Sequence, residues 1–328
     1  MQGVHMKKAV SGLMLAIASV LPNAGWAQPA SWPDRPVKIV VPFQAGSATD
    51  LITRQVALVL SRDFGQPFVV EAHPGAAAAI GSSIVARAAP DGYTLLMGGP
   101  AAVVTNRFTQ KNLGYDPDKF ELVSMVAYTP NILLTTPGQP FKTLPEMVAY
   151  ARAHPGKLTY ASFGTGTTSH LAGELLKQAT GTDILHVPYK GAGEAIPALL
   201  GGQVSLYFDT IMTGLPQVRS GKLVALGMST AKRSDQAPDI PTIAEQGYPG
   251  YDIAPWYGIV APAGTPEPIL DKLNAAINKA LQSGELRTKL AEAGAEPYGG
   301  SRESFKELIA KEIPRTRKLL EQAGFVDK

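Results

Sequence analysis

Two stretches of small and hydroxylated residues are where this sequence could do chemistry. The first, Ala45-Gly46-Ser47-Ala48-Thr49-Asp50, follows the β-branched run at 37–41. The second, Gly164-Thr165-Gly166-Thr167-Thr168-Ser169, follows the run at 158–162. A strand that enters a helix through such a loop leaves backbone N–H groups without intrahelical acceptors, and those groups attract an anion. Ser47, Thr49, Thr165, Thr167 and Thr168 add hydroxyl donors. Asp50 opens its helix, where the dipole favours a carboxylate by about 0.3–1 kcal/mol. Either loop alone reads equally as a tight turn with a helix cap. Two of them, roughly a hundred residues apart in sequence, predict a ligand gripped from two sides, because ligands of open parallel sheets sit beyond the carboxyl ends of the strands.

The remaining constellations are weaker. Gly164-x-Gly166-x-x-Ser169 lacks the third glycine of a dinucleotide fingerprint. There is no Gly-x-Ser-x-Gly, and Ser169 and His170 are adjacent, so on a helix their side chains diverge. The histidines beyond the N-terminus, His73, His154, His170 and His186, show no ligand spacing, and the chain has no cysteine. Neither a metal nor any other cofactor is expected. His170 reads as a satisfied structural residue or a ligand contact. Lys190, after 187–189, reads as a solvated lysine or an anion partner. Asp209-Thr210 and Gly98-Gly99-Pro100-Ala101 fall at strand ends and can line a cleft. Trp256 reads more as core than as a ligand platform.

The elements that must position these loops alternate along the chain. Strand patterns fall at 36–42, 68–71 and 93–97, with helices from 50 to 65 and 76 to 89 between them. This β-α-β-α-β series implies a parallel sheet with helices on its faces. The series restarts after residue 126, with strands at 131–136, 158–162, 184–189, 204–209 and 223–229 and helices at 143–154 and 170–180. A last strand at 256–260 precedes helices starting at Thr265, at 286–293 and at 301–323, the last with Pro314 as an expected kink. Helices alone cannot bury so long a segment, so it is docked back on the first sheet. The chain then crosses between lobes twice, near 126–130 and 228–250.

Composition bounds the class. Lys7 and Lys8, the 13-residue apolar run 9–21 and Gly25-Trp26-Ala27 form a secretory signal peptide with cleavage expected after Ala27, and Met6 is an alternative start. Export without cysteines fits a bacterial periplasm better than a stapled secreted fold. From Gln28 onward there are 28 basic and 27 acidic side chains, which gives no footprint for nucleic acid. About 300 residues predict two domains, placed at 28–128 with 250–328 and at 129–249.

Seven short motifs then point the same way. They are Trp32-Pro33-Asp34-Arg35-Pro36-Val37 with Val41-Pro42-Phe43, Asp91-Gly92-Tyr93-Thr94-Leu95-Leu96, Gly164-x-Gly166-x-x-Ser169-His170, His186-Val187-Pro188-Tyr189-Lys190-Gly191, Leu199-Leu200-Gly201-Gly202-Gln203-Val204, Pro241-Thr242 with Glu245-x-Gly247, and Ala261-Pro262-Ala263-Gly264-Thr265-Pro266. In register over nearly the whole mature length, they resemble the Bug-type substrate-binding proteins of the tripartite tricarboxylate transporter system. The resemblance implies a two-lobed periplasmic Venus-flytrap protein, not an enzyme, that closes on a small organic carboxylate and delivers it to a membrane permease. It implies ligand contacts from Gly46, Ser47, Ala48, Thr49 and Asp50 on one lobe and from Gly164, Thr165, Gly166, Thr167 and Thr168 on the other, with Asp209 as a further contact and a monomer as the default. Two other readings remain at this stage: a sensor whose closed form docks on a membrane receptor kinase, and a periplasmic hydrolase on the same scaffold. Two departures matter. Ser47 stands where the family usually has a second glycine. Glu71-Ala72-His73-Pro74-Gly75-Ala76-Ala77-Ala78-Ala79-Ile80-Gly81 lacks two asparagines and an arginine of the family's pattern. A less polar cleft wall is therefore expected, suited to a larger and less hydrophilic carboxylate such as an aromatic one rather than citrate.

Overall fold

β1 (Val37–Val41) is buried over nearly its whole length, as expected of a strand sandwiched between helical layers. The computed structural model describes Gln2, residues 32–282 and residues 284–326; the expected signal peptide lies outside them. β1 leads through the first small-residue loop into α1 (Ala48–Phe64). Ser47 caps this helix, its Oγ accepting the Asp50 N–H, and Gly65 ends it in a left-handed conformation (φ 67°). The stripe Ile52, Val56, Val59 and Leu60 packs on the sheet. β2 (Phe68–Ala72), α2 (Ala79–Ala86) and β3 (Thr94–Gly98) complete the series, and β1 pairs in parallel with both β2 and β3. A helical turn over Ala101–Thr105 runs into α3 (Asn106–Thr109), and β4 (Glu121–Tyr128) follows.

The chain then crosses to a second sheet. Its elements are β5 (Asn131–Thr135), α4 (Leu144–Ala153), β6 (Leu158–Ser162), α5 (Thr168–Thr180), β7 (Ile184–Pro188), α6 (Ala192–Leu200), β8 (Leu206–Thr210), α7 (Ile211–Arg219) and β9 (Val224–Met228). Thr143 and Glu146 form a reciprocal capping box on α4, which satisfies two otherwise orphaned donors. The return crossing brings β10 (Trp256–Ala261) back to the first sheet, followed by α8 (Glu267–Gln282), α9 (Glu285–Glu292), the short β11 (Glu296–Pro297) and α10 (Arg302–Gln322).

The sheet orders are β11-β4-β10-β3-β1-β2 and β7-β6-β8-β5-β9. Each has a parallel βαβ core extended by antiparallel strands. β10 runs antiparallel to β3 and β4, and β5 runs antiparallel to β8 and β9. Apolar cores lie on both faces of each sheet, so the molecule is two α/β lobes.

The two crossing segments are tied to each other. Thr129 N–H donates to the Pro255 carbonyl (3.0 Å), Asn131 and Ser229 exchange hydrogen bonds through Ser229 Oγ and N, and Ser229 Oγ donates to Ile253 O (2.6 Å). This paired ribbon is the connection between the two lobes.

Several local expectations change. The helix expected at 76–89 is confined to α2, because Ala76, Ala77 and Ala78 adopt left-handed conformations (φ 46°, 47° and 75°). That turn is held from outside: Asn106 Nδ2 donates to Ala77 O (2.9 Å) and Gln110 Nε2 to Ala76 O (3.4 Å). β4 was not anticipated as a strand. Its central residues are buried on both faces, which erases the alternation that marks a half-exposed strand. The helix expected at 301–323 is present as α10, with Pro314 inside it.

Candidate functional site

Three helices start at one place. α1 begins at Ala48, α5 at Thr168 and α7 at Ile211, and their N-cap residues are Ser47, Thr167 and Thr210. All three caps line a single cavity of ≈ 60 Å³ between the lobes. Thr49, Thr168 and Ser169 extend its hydroxyl lining, and Phe43, Phe163 and Met97 form apolar wall. The crossing ribbon supplies Asn131 from one side and Pro255, Trp256 and Tyr257 from the other. Gly98, Gly99, Pro100 and Ala101, at the end of β3, complete the first lobe's face. The volume holds a few water-sized groups at about 10–15 Å³ each.

Among the described residues, no Asp, Glu, Lys, Arg or His lines the cavity. Its electrostatic character comes from helix ends. Each N-terminus carries first-turn N–H groups without intrahelical acceptors and roughly half a positive charge, and at α7 one of these, Ile211 N–H, already donates to Pro130 O (3.0 Å). In a wall with no formal charge, three such ends favour an anion held by neutral donors.

The loops are braced from behind. Asp50 is buried; its Oδ2 accepts the Gly46 N–H (2.9 Å) and the Arg54 Nε–H (3.0 Å). On the second loop, Gly164 N–H donates to Ser162 Oγ (3.0 Å) and Gly166 N–H to His170 Nδ1 (3.1 Å). Thr167 Oγ1 donates to Gly164 O (2.7 Å). His186 Nε2 sits 2.6 Å from Ser162 Oγ and its ring lies 4.2 Å from that of His170. Burial lowers the His170 pKa to about 3 and that of His186 to about 4, so both imidazoles are neutral at pH 7.

The residues named from the sequence therefore fall into two groups. Ser47, Ala48, Thr49, Thr167 and Thr168 line the cavity; Gly46, Asp50, Gly164, Thr165, Gly166 and Asp209 stand outside its wall. Gly46 and Asp50 shape the first loop. Gly164 and Thr165 border a neighbouring hollow with Ala76–Ala78 and Lys190. Gly166 (φ +88°) sits against the opposite lobe, where an added Cβ would come within 2.8 Å of Thr109 Oγ1. Asp209 is fully buried beneath the site, its Oδ1 accepting from Thr210 N (2.8 Å) and Thr213 Oγ1 (2.7 Å). Burial raises its pKa to about 7, against the pull of those hydrogen bonds. Thr210, one residue on, faces the cavity instead, as strand alternation requires. Lys190 is largely exposed beside Glu194.

Asn131 was missed. A polar residue opening the otherwise apolar run Ile132-Leu133-Leu134, directly after the crossing at Pro130, was the available signal. Trp256 is buried, as read, yet it also lines the cavity. The lobes touch around the site: Gln44 Nε2 donates to Glu194 Oε1 across the cleft (3.3 Å).

Two α/β lobes joined by a double crossing, with helix ends of both lobes aimed at the space between them, define the class of two-lobed solute-binding proteins. Residues 52–325 match the family model of the tripartite tricarboxylate transporter family receptor, and this chain belongs to that family. It is 36% identical to protein BugT of Bordetella pertussis over 317 residues, covering 95% of this chain and 97% of that protein. Among solved structures it resembles R. palustris Rpa4515 with adipate (39% identity, TM-score 0.87, covering 89% of this chain and 98% of that one). It also resembles MatC from Rhodopseudomonas palustris with bound malate (35% identity, TM-score 0.83, covering 88% and 100%). The periplasmic binding protein BugD aligns at 35% identity and TM-score 0.84, over 90% of this chain and 99% of that one.

Proposed function

We propose that this chain is exported by its first 27 residues to the periplasm. There, as a monomer, it captures a small organic carboxylate between its lobes and presents the closed form to the membrane permease of a tripartite tricarboxylate-type transporter. The observation that carries this reading is the convergence of three helix N-termini, from both lobes, on one cavity without a charged side chain. Relatives described with adipate and with malate support the carboxylate class. The apolar wall favours a ligand with a hydrocarbon or aromatic body and a carboxylate head.

Residues 28–128 with 250–328 form one closing body and 129–249 the other. Closure is a population shift, biased by contacts the ligand makes to the second lobe only when the lobes are together. Capture, not turnover, is the role the cavity supports. His170 gives its Nδ1 to Gly166 N–H and does not line the cavity, so among the described residues no base lines the wall beside its serine and threonine hydroxyls.

The test is a thermal-shift screen followed by calorimetric titration with succinate, adipate, malate, citrate, benzoate and 4-hydroxybenzoate. Binding to the native form alone raises stability by about 2.7 kcal/mol at a ligand concentration of a hundred times Kd. At least one acid is expected to raise Tm and to titrate at one site per chain. A panel without a single stabilising acid contradicts the proposal.

A further inference from the structure

Asn131 is fully buried, lines the cavity, and has no hydrogen-bond partner for either Oδ1 or Nδ2. Its backbone is the opposite: the N–H donates to Ser229 Oγ (3.0 Å) and the carbonyl accepts from Ser229 N–H (2.8 Å). The crossing ribbon thus holds the residue firmly and leaves its amide buried at the cavity wall with no protein partner. Leu133, on the same face of β5 two residues on, is buried in an apolar core, so apolar side chains fit this face of the strand. A buried amide with neither end paired is disfavoured enough that folded proteins rarely contain one without a reason. In the same wall, the indole N–H of Trp256 is also buried without an acceptor.

The ligand group that satisfies this wall must both donate and accept. Asn131 needs an acceptor for Nδ2–H and a donor for Oδ1. A carboxylate supplies acceptors only. An ammonium supplies donors only, and no Asp or Glu lines the cavity to balance its charge. A hydroxyl does both through one oxygen, and its second lone pair can take the Trp256 N–H.

We propose that Asn131, with Trp256 in the same wall, is the specificity-determining residue by which this site selects hydroxylated carboxylates over their unsubstituted parents. This rests on the carboxylate reading above. The helix ends hold the carboxylate, and the hinge-side wall reads the hydroxyl.

Two matched pairs test it by calorimetric titration: succinate against malate, and benzoate against 4-hydroxybenzoate. Each pair is titrated into the wild type, Asn131→Leu and Asn131→Ser. In wild type the hydroxylated member of at least one pair is expected to bind about tenfold tighter or more, the scale of one satisfied hydrogen bond in a dry site. In Asn131→Leu the ratio should fall to within about threefold, with the parent acid bound as well as before or better. Asn131→Ser keeps a group that both donates and accepts, so it should retain part of the preference; it also guards against misfolding of the leucine variant. Equal binding of both members by wild type overturns the inference while leaving carboxylate binding intact. So does an equal loss for both members in Asn131→Leu, which marks a purely structural residue. Failure of all four acids to bind wild type overturns this inference alone if adipate or citrate still binds, and overturns the carboxylate reading with it if those two fail as well.

Discussion

His170 Nδ1 accepts the backbone N–H of Gly166 at 3.1 Å, so the second small-residue loop is fastened by an imidazole that must stay unprotonated at that atom. A protonated ring would set N–H against N–H. The groups around it offer little relief, because Glu174 is already engaged by Tyr160 (2.7 Å) and Lys177 (3.0 Å), His186 is a second neutral ring, and Phe325 lies edge-on at 4.7 Å.

The pH dependence follows from the depressed pKa. Unfolded, the histidine takes up a proton near pH 6.5; folded, it does so only at about 3. The unfolded chain therefore binds more protons between these values. The stabilisation is full above about pH 6.5 and is lost as pH falls toward 3. Tm measured at pH 7 and pH 4.5 should drop more in wild type than in His170→Gln, whose amide oxygen can still accept from Gly166. Parallel drops in the two proteins would show that this imidazole does not set the acid limb.

Asp50 holds the first small-residue loop through the Gly46 N–H. Asp50→Ala frees the Gly46 N–H and removes a buried acceptor, a change of about 1–3 kcal/mol in stability. Ligand affinity should fall as well, although the side chain does not line the cavity. Chemical denaturation reads the first effect and titration with a bound acid the second. Unchanged affinity alongside lost stability would separate the loop's shape from its function.

Gly166 lies where the second lobe meets Thr109 of the first. A methyl group there would sit 2.8 Å from Thr109 Oγ1, at a φ of +88° that disfavours side chains. Gly166→Ala is expected to weaken binding by tenfold or more, and mainly through faster release, since the closed form is the one it disturbs. A Gln44→Ala change removes only the exposed Glu194 contact and should alter affinity by less than about threefold. Stopped-flow dissociation rates compare the two.

The three left-handed alanines can be relieved. An L-residue in this region costs about 1–2 kcal/mol relative to its right-handed form, and glycine does not bear that cost. Ala76 is exposed, so Ala76→Gly loses no packing and should raise Tm. Ala78 is buried at 1% exposure, so Ala78→Gly gives up a packed methyl and should gain less. A lower Tm for Ala76→Gly would mean the turn is set by its unfolded-state entropy rather than by strain.

The loops were legible because their chemistry is local. Ser47 and Thr167 each cap a helix three residues ahead of the N–H they accept, and such spacing can be read from a sequence. The site's floor was not. Asn131, Thr210 and Trp256 meet only because β5 pairs with β8 and because β10 returns from the second lobe to lie between β3 and β4. Those pairings join residues far apart in the chain, and no local pattern encodes them. Asp209 and Thr210 show the limit in one step: both end the same strand, and the half-turn between neighbouring side chains sends one under the site and the other into it.

Hydrogen exchange read by mass spectrometry, with and without an acid that raises Tm, tests the two-lobed clamp most directly. Slowed exchange is expected together in the peptides spanning 46–51 and 164–171, at the starts of α1 and α5. Protection confined to one of these two loops would contradict a ligand held between the lobes.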